Sequence, residues 1–364
     1  MLKMPKIKTI SVGLLLLVIL TALFLPFLTT FTAPEFRDHI YRSYIFKVIA
    51  EYVGETESDP QILMEKYFDF IYNNLYTIRG EQVVNSGALN DLLRGIGWCD
   101  QQTNAFTILC YYKGIKASLV MLKGDKDISR HTVARVLLDG KWKIVDPLNG
   151  VIFKNSGGLI ASFTDIQMGK PEFRSRKYGD FNSDWFNSGY KSNFMDQFPP
   201  VVWSWPGEFK DPKRDRIRKL IDIYYALFGE FYFSLYQDFY LSRVSELSVE
   251  KFDLKKPDIK TYFKARNCQL CGRFNKAVKV YSKVSENYPG SPYEERSKLF
   301  KSACLLKMGE LDAAYAELDS FLSDNNKSTW AGVARNYLDW CKYRMGKTKL
   351  PTTVSDVSPD SYYF

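Results

Sequence analysis

The chain has 364 residues, which is enough for two or three folding units. Its 50 lysines and arginines outnumber 41 aspartates and glutamates, and the resulting net charge of +9 favours anionic neighbours. The sequence has no low-complexity segment and no long basic run, which excludes the charged tails typical of nucleic-acid-binding proteins. We therefore expect no nucleic-acid partner.

A long apolar segment follows three lysines at the N-terminus. No charged residue occurs from Thr9 through Pro34, a run of about 25 residues, whereas a bilayer span needs about 20. Basic residues before the run and acidic residues after it predict a cytoplasmic N-terminus and an extracytoplasmic bulk of the chain. A cleaved signal peptide is the alternative. The sequence thus predicts a single-pass protein of the cell membrane, anchored by residues 1–34.

Six cysteines are spread along the chain, and in an extracytoplasmic compartment disulfides between them are possible. Cys268 and Cys271 form a CxxC motif, which is compatible with redox chemistry or with half of a zinc site. Because neither a second CxxC nor a nearby histidine completes four ligands, we interpret both cysteines as packing residues of a helix. We expect no metal and no cofactor.

The segment GWCDQQTNAFTILCYYKG, residues 97–114, predicts a helix that begins near Cys99. Apolar residues recur at helical spacing, and the helix is expected to stop at Lys113, before the glycine cap Gly114. The N–H groups and dipole of a helix N-terminus stabilise a thiolate, and the same N–H groups can hold an oxyanion. A structural cysteine would more naturally lie in mid-helix, as Cys110 does. We therefore interpret Cys99 as a candidate nucleophile.

A nucleophilic cysteine needs a base, and the chain has two histidines. His39 follows the apolar segment and is interpreted as a surface residue. His131 lies in ISRHTVARVLLDGKWKIVDPLNG, in which the Asp-Gly pair at residues 139–140 predicts a β-hairpin with a two-residue turn.

The turn also predicts which residues of the hairpin meet. If Leu138 pairs with Lys141, then Val133 faces Asp146, and His131 and Asp146 are diagonal neighbours on one face of the sheet. Such a carboxylate fixes the imidazole tautomer and stabilises its protonated form. The alternative is that His131 is an edge histidine and Asp146 forms a turn.

Residues 60 to 155 resemble the core of the transglutaminase-like superfamily. The elements that match are Cys99 at a helix start, the G-I-x-A motif at residues 114–117, His131, Trp142 and Asp146-Pro147. The resemblance implies a papain-like α+β fold with Cys99 as nucleophile, His131 as general base and acid, and Asp146 orienting the imidazole. Members of this superfamily attack amide carbonyls, form an acyl-thioester and pass the acyl group to an amine or to water. Because no acidic loop has EF-hand spacing, calcium dependence is not indicated.

Two other residues are candidates for the oxyanion hole and the substrate pocket. Papain-like enzymes often use a side-chain donor upstream of the cysteine, and Gln82 lies 17 residues before Cys99. Trp98 is interpreted either as part of the acyl pocket or as an ordinary packing residue.

The C-terminal part of the chain is repetitive. Gly272, Gly309 and Gly346 are 37 residues apart, and CGRFNKAVKVYSKV around the first aligns with MGELDAAYAELDSF around the second. Each unit predicts a helix, a glycine turn and a second helix, and a period in the thirties is typical of a helical solenoid. The units resemble tetratricopeptide repeats (TPR), which mostly bind peptides or protein partners, so we expect a protein partner here.

The predicted fold class is therefore an α+β papain/transglutaminase-like core with an N-terminal transmembrane helix and a C-terminal all-α TPR-like solenoid. The predicted divisions are an anchor (1–34), a transglutaminase-like domain (35–205), an aromatic-rich helical connector (206–258) and the repeats (259–364). The expected function is that of a membrane-anchored thiol enzyme acting on a peptide or protein substrate. The alternative is a catalytically silent protein that binds a peptide or supports an envelope or surface-polymer assembly through its repeats.

Overall fold

A computed structural model describes residues 12–21, 24, 34–78, 81, 87–123, 129–155, 157–162, 165–166, 172–175, 219, 222–223, 225–227 and 256–348. Within these residues the fold is mixed helix and sheet, and most of it is helical. The first half contains helices α1 (Pro34–Gly54), α2 (Pro60–Asn74), α3 (Ala88–Arg94) and α4 (Cys99–Tyr112), then strands β1 (Ala117–Lys123), β2 (Ser129–Leu138), β3 (Lys141–Asp146), β4 (Val151–Lys154) and β5 (Glu172–Ser175). The C-terminal helices are α5 (Pro257–Leu270), α6 (Phe274–Asn287), α7 (Glu294–Met308), α8 (Leu311–Asp324) and α9 (Ala331–Arg344).

The predicted transmembrane anchor is contradicted by the structure. Of the apolar segment, the structure describes residues 12–21 and 24, which are helical, whereas a span of the ~30 Å hydrocarbon core needs about 20 helical residues at 1.5 Å each. Across the described ranges, no helix is both long and apolar enough to cross a membrane. The transmembrane part of the predicted fold class and the single-pass localisation are therefore wrong.

The sheet is antiparallel, with its strands in the order β1-β2-β3-β4-β5. Asp139 and Gly140 turn the β2–β3 hairpin with φ values of 50° and 72°, the left-handed conformation that a two-residue hairpin turn requires. Leu138 pairs with Lys141, as the turn predicted, and this register continues to the pair of Ala134 with Val145. The predicted hairpin register is confirmed.

The strands separate two clusters of buried side chains, because successive residues of a strand point to opposite faces. Ala134 and Val136 of β2 belong to the large core, together with Phe106 and Leu109 of α4. Val133 belongs instead to a small cluster on the opposite face. The large core continues without a break into α5–α9, so the helical repeats and the first half of the chain share one core.

Helices α5–α9 contact one another in sequence, each packing against the next. The three repeat glycines follow α5, α7 and α9 with φ values of 75°, 80° and 69°, so each turn uses the left-handed conformation that glycine adopts at low cost. The predicted alternation of helix, glycine turn and helix is therefore observed. Cys268, Cys271, Cys304 and Cys341 are buried and form no disulfide within the described part of the chain, as expected for packing residues.

Most of the predicted connector, residues 206–258, lies outside the described residues. Its described positions between 219 and 227 are helical. Asp222 forms an ion pair of 3.0 Å with Lys47 of α1. This contact attaches the described part of the connector to the first half of the chain.

Candidate active site

Cys99 is the first residue of α4, as predicted. Trp98 is the N-cap in extended conformation, and its side chain makes no capping hydrogen bond. Gln101 stabilises the helix start by accepting a hydrogen bond of 2.7 Å from the Trp98 N–H. Cys99 therefore lies at the positive end of the helix dipole, beside the first-turn N–H groups of α4.

Of the six cysteines, all within the described residues, Cys99 alone is partly exposed. Burial raises the pKa of the Cys110 and Cys304 thiols, because an apolar surrounding disfavours the charged thiolate. The five buried cysteines are expected to be inert in the folded protein. Cys99 is the thiol that a substrate can reach.

His131 and Asp146 are in direct contact. The His131 Nε2 lies 2.8 Å from Asp146 Oδ2, which agrees with the diagonal placement that the hairpin register predicted. The Asp146 side chain is completely buried, whereas 18% of the His131 side chain is exposed. The carboxylate therefore binds the imidazole from the protein interior, and part of the ring remains exposed to solvent.

The pKa of His131 reflects these neighbours. Burial acts to lower the pKa, but the charge and hydrogen bond of Asp146 raise it, and a hydrogen bond and charge interaction with Cys99 raise it further, so that the pKa reaches about 10. Since Nε2 is bound to Asp146, Nδ1 is the ring nitrogen left for the thiol. The His131 ring therefore interacts with both a buried carboxylate and Cys99.

Asn149 is a residue of the site that the sequence reasoning missed. Its backbone N–H donates to Asp146 Oδ1 at 3.1 Å, and its side-chain Nδ2 donates to Asp146 Oδ2 at 2.7 Å. A buried carboxylate needs such donors, because burial removes the hydrogen bonds that it had with water. The signal was present in DPLNG, where an Asp three residues before an Asn, followed by Gly, is typical of a tight turn.

Gly150 closes this turn with a φ of 65°, and a Cβ added there would lie 2.7 Å from Tyr72 Cε2. We expect Gly150→Ala to lower the free energy of unfolding by about 1 kcal/mol more than Gly140→Ala does. The control has a similar φ of 72° and no atom within 4 Å of the added Cβ, so it reports the backbone strain alone. Urea denaturation of both variants measures the difference, and equal losses would contradict the close packing of this turn on Tyr72.

A hydrogen bond between α4 and β2 fixes the distance between the cysteine and the histidine. Thr103, one turn after Cys99, donates from Oγ1 to the Thr132 carbonyl oxygen at 3.3 Å. Thr132 is the neighbour of His131, and both threonines are buried. The helix that carries the thiol is therefore bound to the strand that carries the imidazole.

The predicted oxyanion donor Gln82 lies outside the described residues. Trp98 has 57% of its surface exposed, directly beside Cys99, so it lies at the surface that a substrate must approach. Within the described part of the chain, no group of three or more His, Cys, Asp or Glu side chains is placed to hold a metal ion.

Comparison with known proteins gives no match: no family model matches the chain, and no curated protein and no solved structure is similar to it. The assignment of a chemistry to this site therefore depends on its geometry and on the motif resemblance.

Proposed function

We propose that the protein is a cysteine-dependent enzyme of the transglutaminase-like type, which forms an acyl-thioester on Cys99 from a peptide or amide and passes the acyl group to an amine or to water. The observation that carries the proposal is the position of His131, whose ring contacts the buried Asp146 and interacts with Cys99. A histidine with only a packing role in a sheet does not require contacts with both a buried carboxylate and a thiol.

Acylation begins with attack of the Cys99 thiolate on the amide carbonyl carbon. A C–S bond forms, the carbonyl π electrons move to oxygen, and the first-turn N–H groups of α4 are the donors nearest to that oxyanion. When the intermediate collapses, the C–N bond breaks and the His131 imidazolium gives its proton to the leaving amine. The products are an acyl-thioester and a neutral imidazole.

Deacylation reverses the roles. The neutral imidazole takes a proton from water or from an acceptor amine as that nucleophile attacks the thioester carbonyl. The C–S bond then breaks, and the thiolate and imidazolium are restored. Asp146 stays ionised throughout and keeps Nε2 protonated, so that Nδ1 is the nitrogen that exchanges protons.

The proposal is tested by trapping the acyl-enzyme. The full chain is incubated with p-nitrophenyl acetate, and the acetylated residue is located by mass spectrometry before and after addition of an alkylamine. We expect acetyl on Cys99 that is discharged by water or by the amine, and no such adduct in Cys99→Ser. Cys110→Ser changes a buried cysteine of the same helix and should leave the adduct unchanged. Acetylation confined to lysines would overturn the proposal.

A further inference from the structure

The loop that leads into Cys99, residues 95–98, is held by a second segment of the chain. Tyr76 and Ile96 form a parallel bridge, in which the Tyr76 N–H donates to Gly95 O at 3.0 Å and the Gly97 N–H donates to Tyr76 O at 3.0 Å. Thr77 Oγ1 also donates to Gly97 O, at 2.8 Å. The position of Tyr76 therefore determines the position of the loop and of the helix start that follows it.

Tyr76 is in turn held by the helical repeats. Its ring stacks on Phe300 of α7, with centroids 6.4 Å apart, and meets Trp330 edge-on at 6.1 Å. Its hydroxyl shares a hydrogen bond with the hydroxyl of Tyr337 in α9. Aromatic pairs of this kind contribute about 1 kcal/mol each beyond the area that they bury.

Arg266 of α5 makes a second connection between the repeats and this region. Its side chain is fully buried, and its Nε donates to Leu92 O at 3.1 Å while another guanidinium nitrogen donates to Asn74 O. Leu92 and Asn74 lie at the C-terminal ends of α3 and α2, where helices leave carbonyl groups unpaired and favour a cation. These two helices end just before the two segments of the Tyr76–Ile96 bridge.

The loop itself also touches the repeats. A Cβ added to Gly95 would lie 2.8 Å from Phe300 Cζ, and the Arg266 guanidinium lies 4.0 Å from the centroid of the same ring. Phe300 is fully buried by these contacts. The repeats therefore pack directly against the backbone of Gly95, four residues before Cys99.

We infer that the TPR-like repeats are a built-in part of the active site: α5, α7 and α9 position the Cys99 loop, and Arg266 is a positioning residue for the nucleophile. The inference rests on the proposed function. The face of the repeats that carries Arg266, Phe300 and Tyr337 is occupied by the chain's own residues 74–77 and 92–97. A protein partner would therefore have to bind elsewhere on the repeats. Its binding would affect the position of Cys99 through these contacts.

The test compares Arg266→Met with Arg344→Met in the full chain. Arg344 makes the same kind of contact inside the repeats, donating to the Leu306 carbonyl of α7 at 2.9 Å, and it touches no residue of the loop through that bond. We expect Arg266→Met to slow alkylation of Cys99 at pH 6 at least tenfold and to speed amide hydrogen exchange at residues 95–99. Arg344→Met should change neither. Equal effects of the two variants would overturn the inference.

Because Arg266→Met removes buried hydrogen bonds to the Leu92 and Asn74 carbonyls and can fail to fold, Tyr337→Phe provides a second test. It removes only the hydroxyl bound to Tyr76. We expect slower alkylation of Cys99 and faster amide exchange at residues 95–99, both to a smaller degree than in Arg266→Met. Wild-type rates and exchange in folded Tyr337→Phe and Arg266→Met would overturn the inference.

If wild-type Cys99 reacts no faster than the buried cysteines at pH 6, the proposed function fails instead. Hydrogen exchange at residues 95–99 then still decides whether the repeats hold the loop.

Discussion

Replacing His131 with alanine is expected to slow the alkylation of Cys99 by iodoacetamide at pH 6 by about 100-fold. An ordinary cysteine thiol is less than about 1% ionised at this pH, and only the thiolate reacts. In the wild-type protein the imidazolium of His131, with a pKa of about 10, interacts with Cys99. A neighbouring cation generally increases the thiolate fraction of a cysteine, and removing the ring removes this cation.

The rate at each cysteine is measured by mass spectrometry of peptides over a pH series. His39→Ala changes the other histidine of the chain and should leave the Cys99 rate unchanged. The five buried cysteines should react slowly in every folded variant. A Cys99 rate at pH 6 that is the same in wild type and His131→Ala would show that the imidazole does not act on the thiol.

Asp146→Ala is expected to lower the free energy of unfolding by about 3 kcal/mol at pH 7. The change leaves three donors without their acceptor: the His131 Nε2 and both nitrogens of Asn149. Because the Asp146 side chain is completely buried, water does not replace the carboxylate without rearrangement. Urea denaturation measures the loss.

Asp146→Asn separates shape from charge. It keeps one acceptor oxygen and the side-chain volume, so we expect a smaller loss of stability than in Asp146→Ala. Both variants should slow alkylation of Cys99, because both remove the carboxylate charge beside His131. Asp139→Asn is the matched control, since the exposed Asp139 sits in the hairpin turn with a φ of 50° that asparagine tolerates. Full stability in Asp146→Ala would contradict the placement of this carboxylate in the core.

The parts of the site that lie within one hairpin and one helix could be predicted from the sequence. The Asp139-Gly140 turn determines the register of β2 and β3, and the register determines that His131 and Asp146 share a face. The start of α4 at Cys99 follows from helical spacing and from the glycine stop at its other end. These are local rules, and each depends on fewer than about 20 residues.

The connections between distant segments could not be predicted in this way. Arg266 donates to Asn74 across 192 positions of the chain, and no local pattern indicates such a contact. The sequence predicts the repeats as a division of their own, but it does not indicate the core that they share with the first half of the chain. The transmembrane prediction used only the apolar composition of the N-terminal segment, and among the described residues no helix is both long and apolar enough to cross a membrane.

The protonation of His131 also sets a pH range for stability. Its pKa is raised from 6.5 to about 10 in the folded protein. The stabilisation from this group is therefore fully present below pH 6.5 and is lost as the pH rises through about 10. This loss should be absent from His131→Ala.

The most direct test is the NMR titration of the two histidines in the full chain, with labelled imidazole rings and His131→Ala to assign the signals. The account predicts that His131 remains protonated through pH 8 and titrates near pH 10. It also predicts that Asp146→Asn and Cys99→Ser each lower this pKa, because each removes one of the interactions that favour the imidazolium. A His131 pKa at or below 6.5 in the wild-type protein would contradict a working pair of Cys99 and His131. A His131 pKa that neither substitution changes would contradict it too.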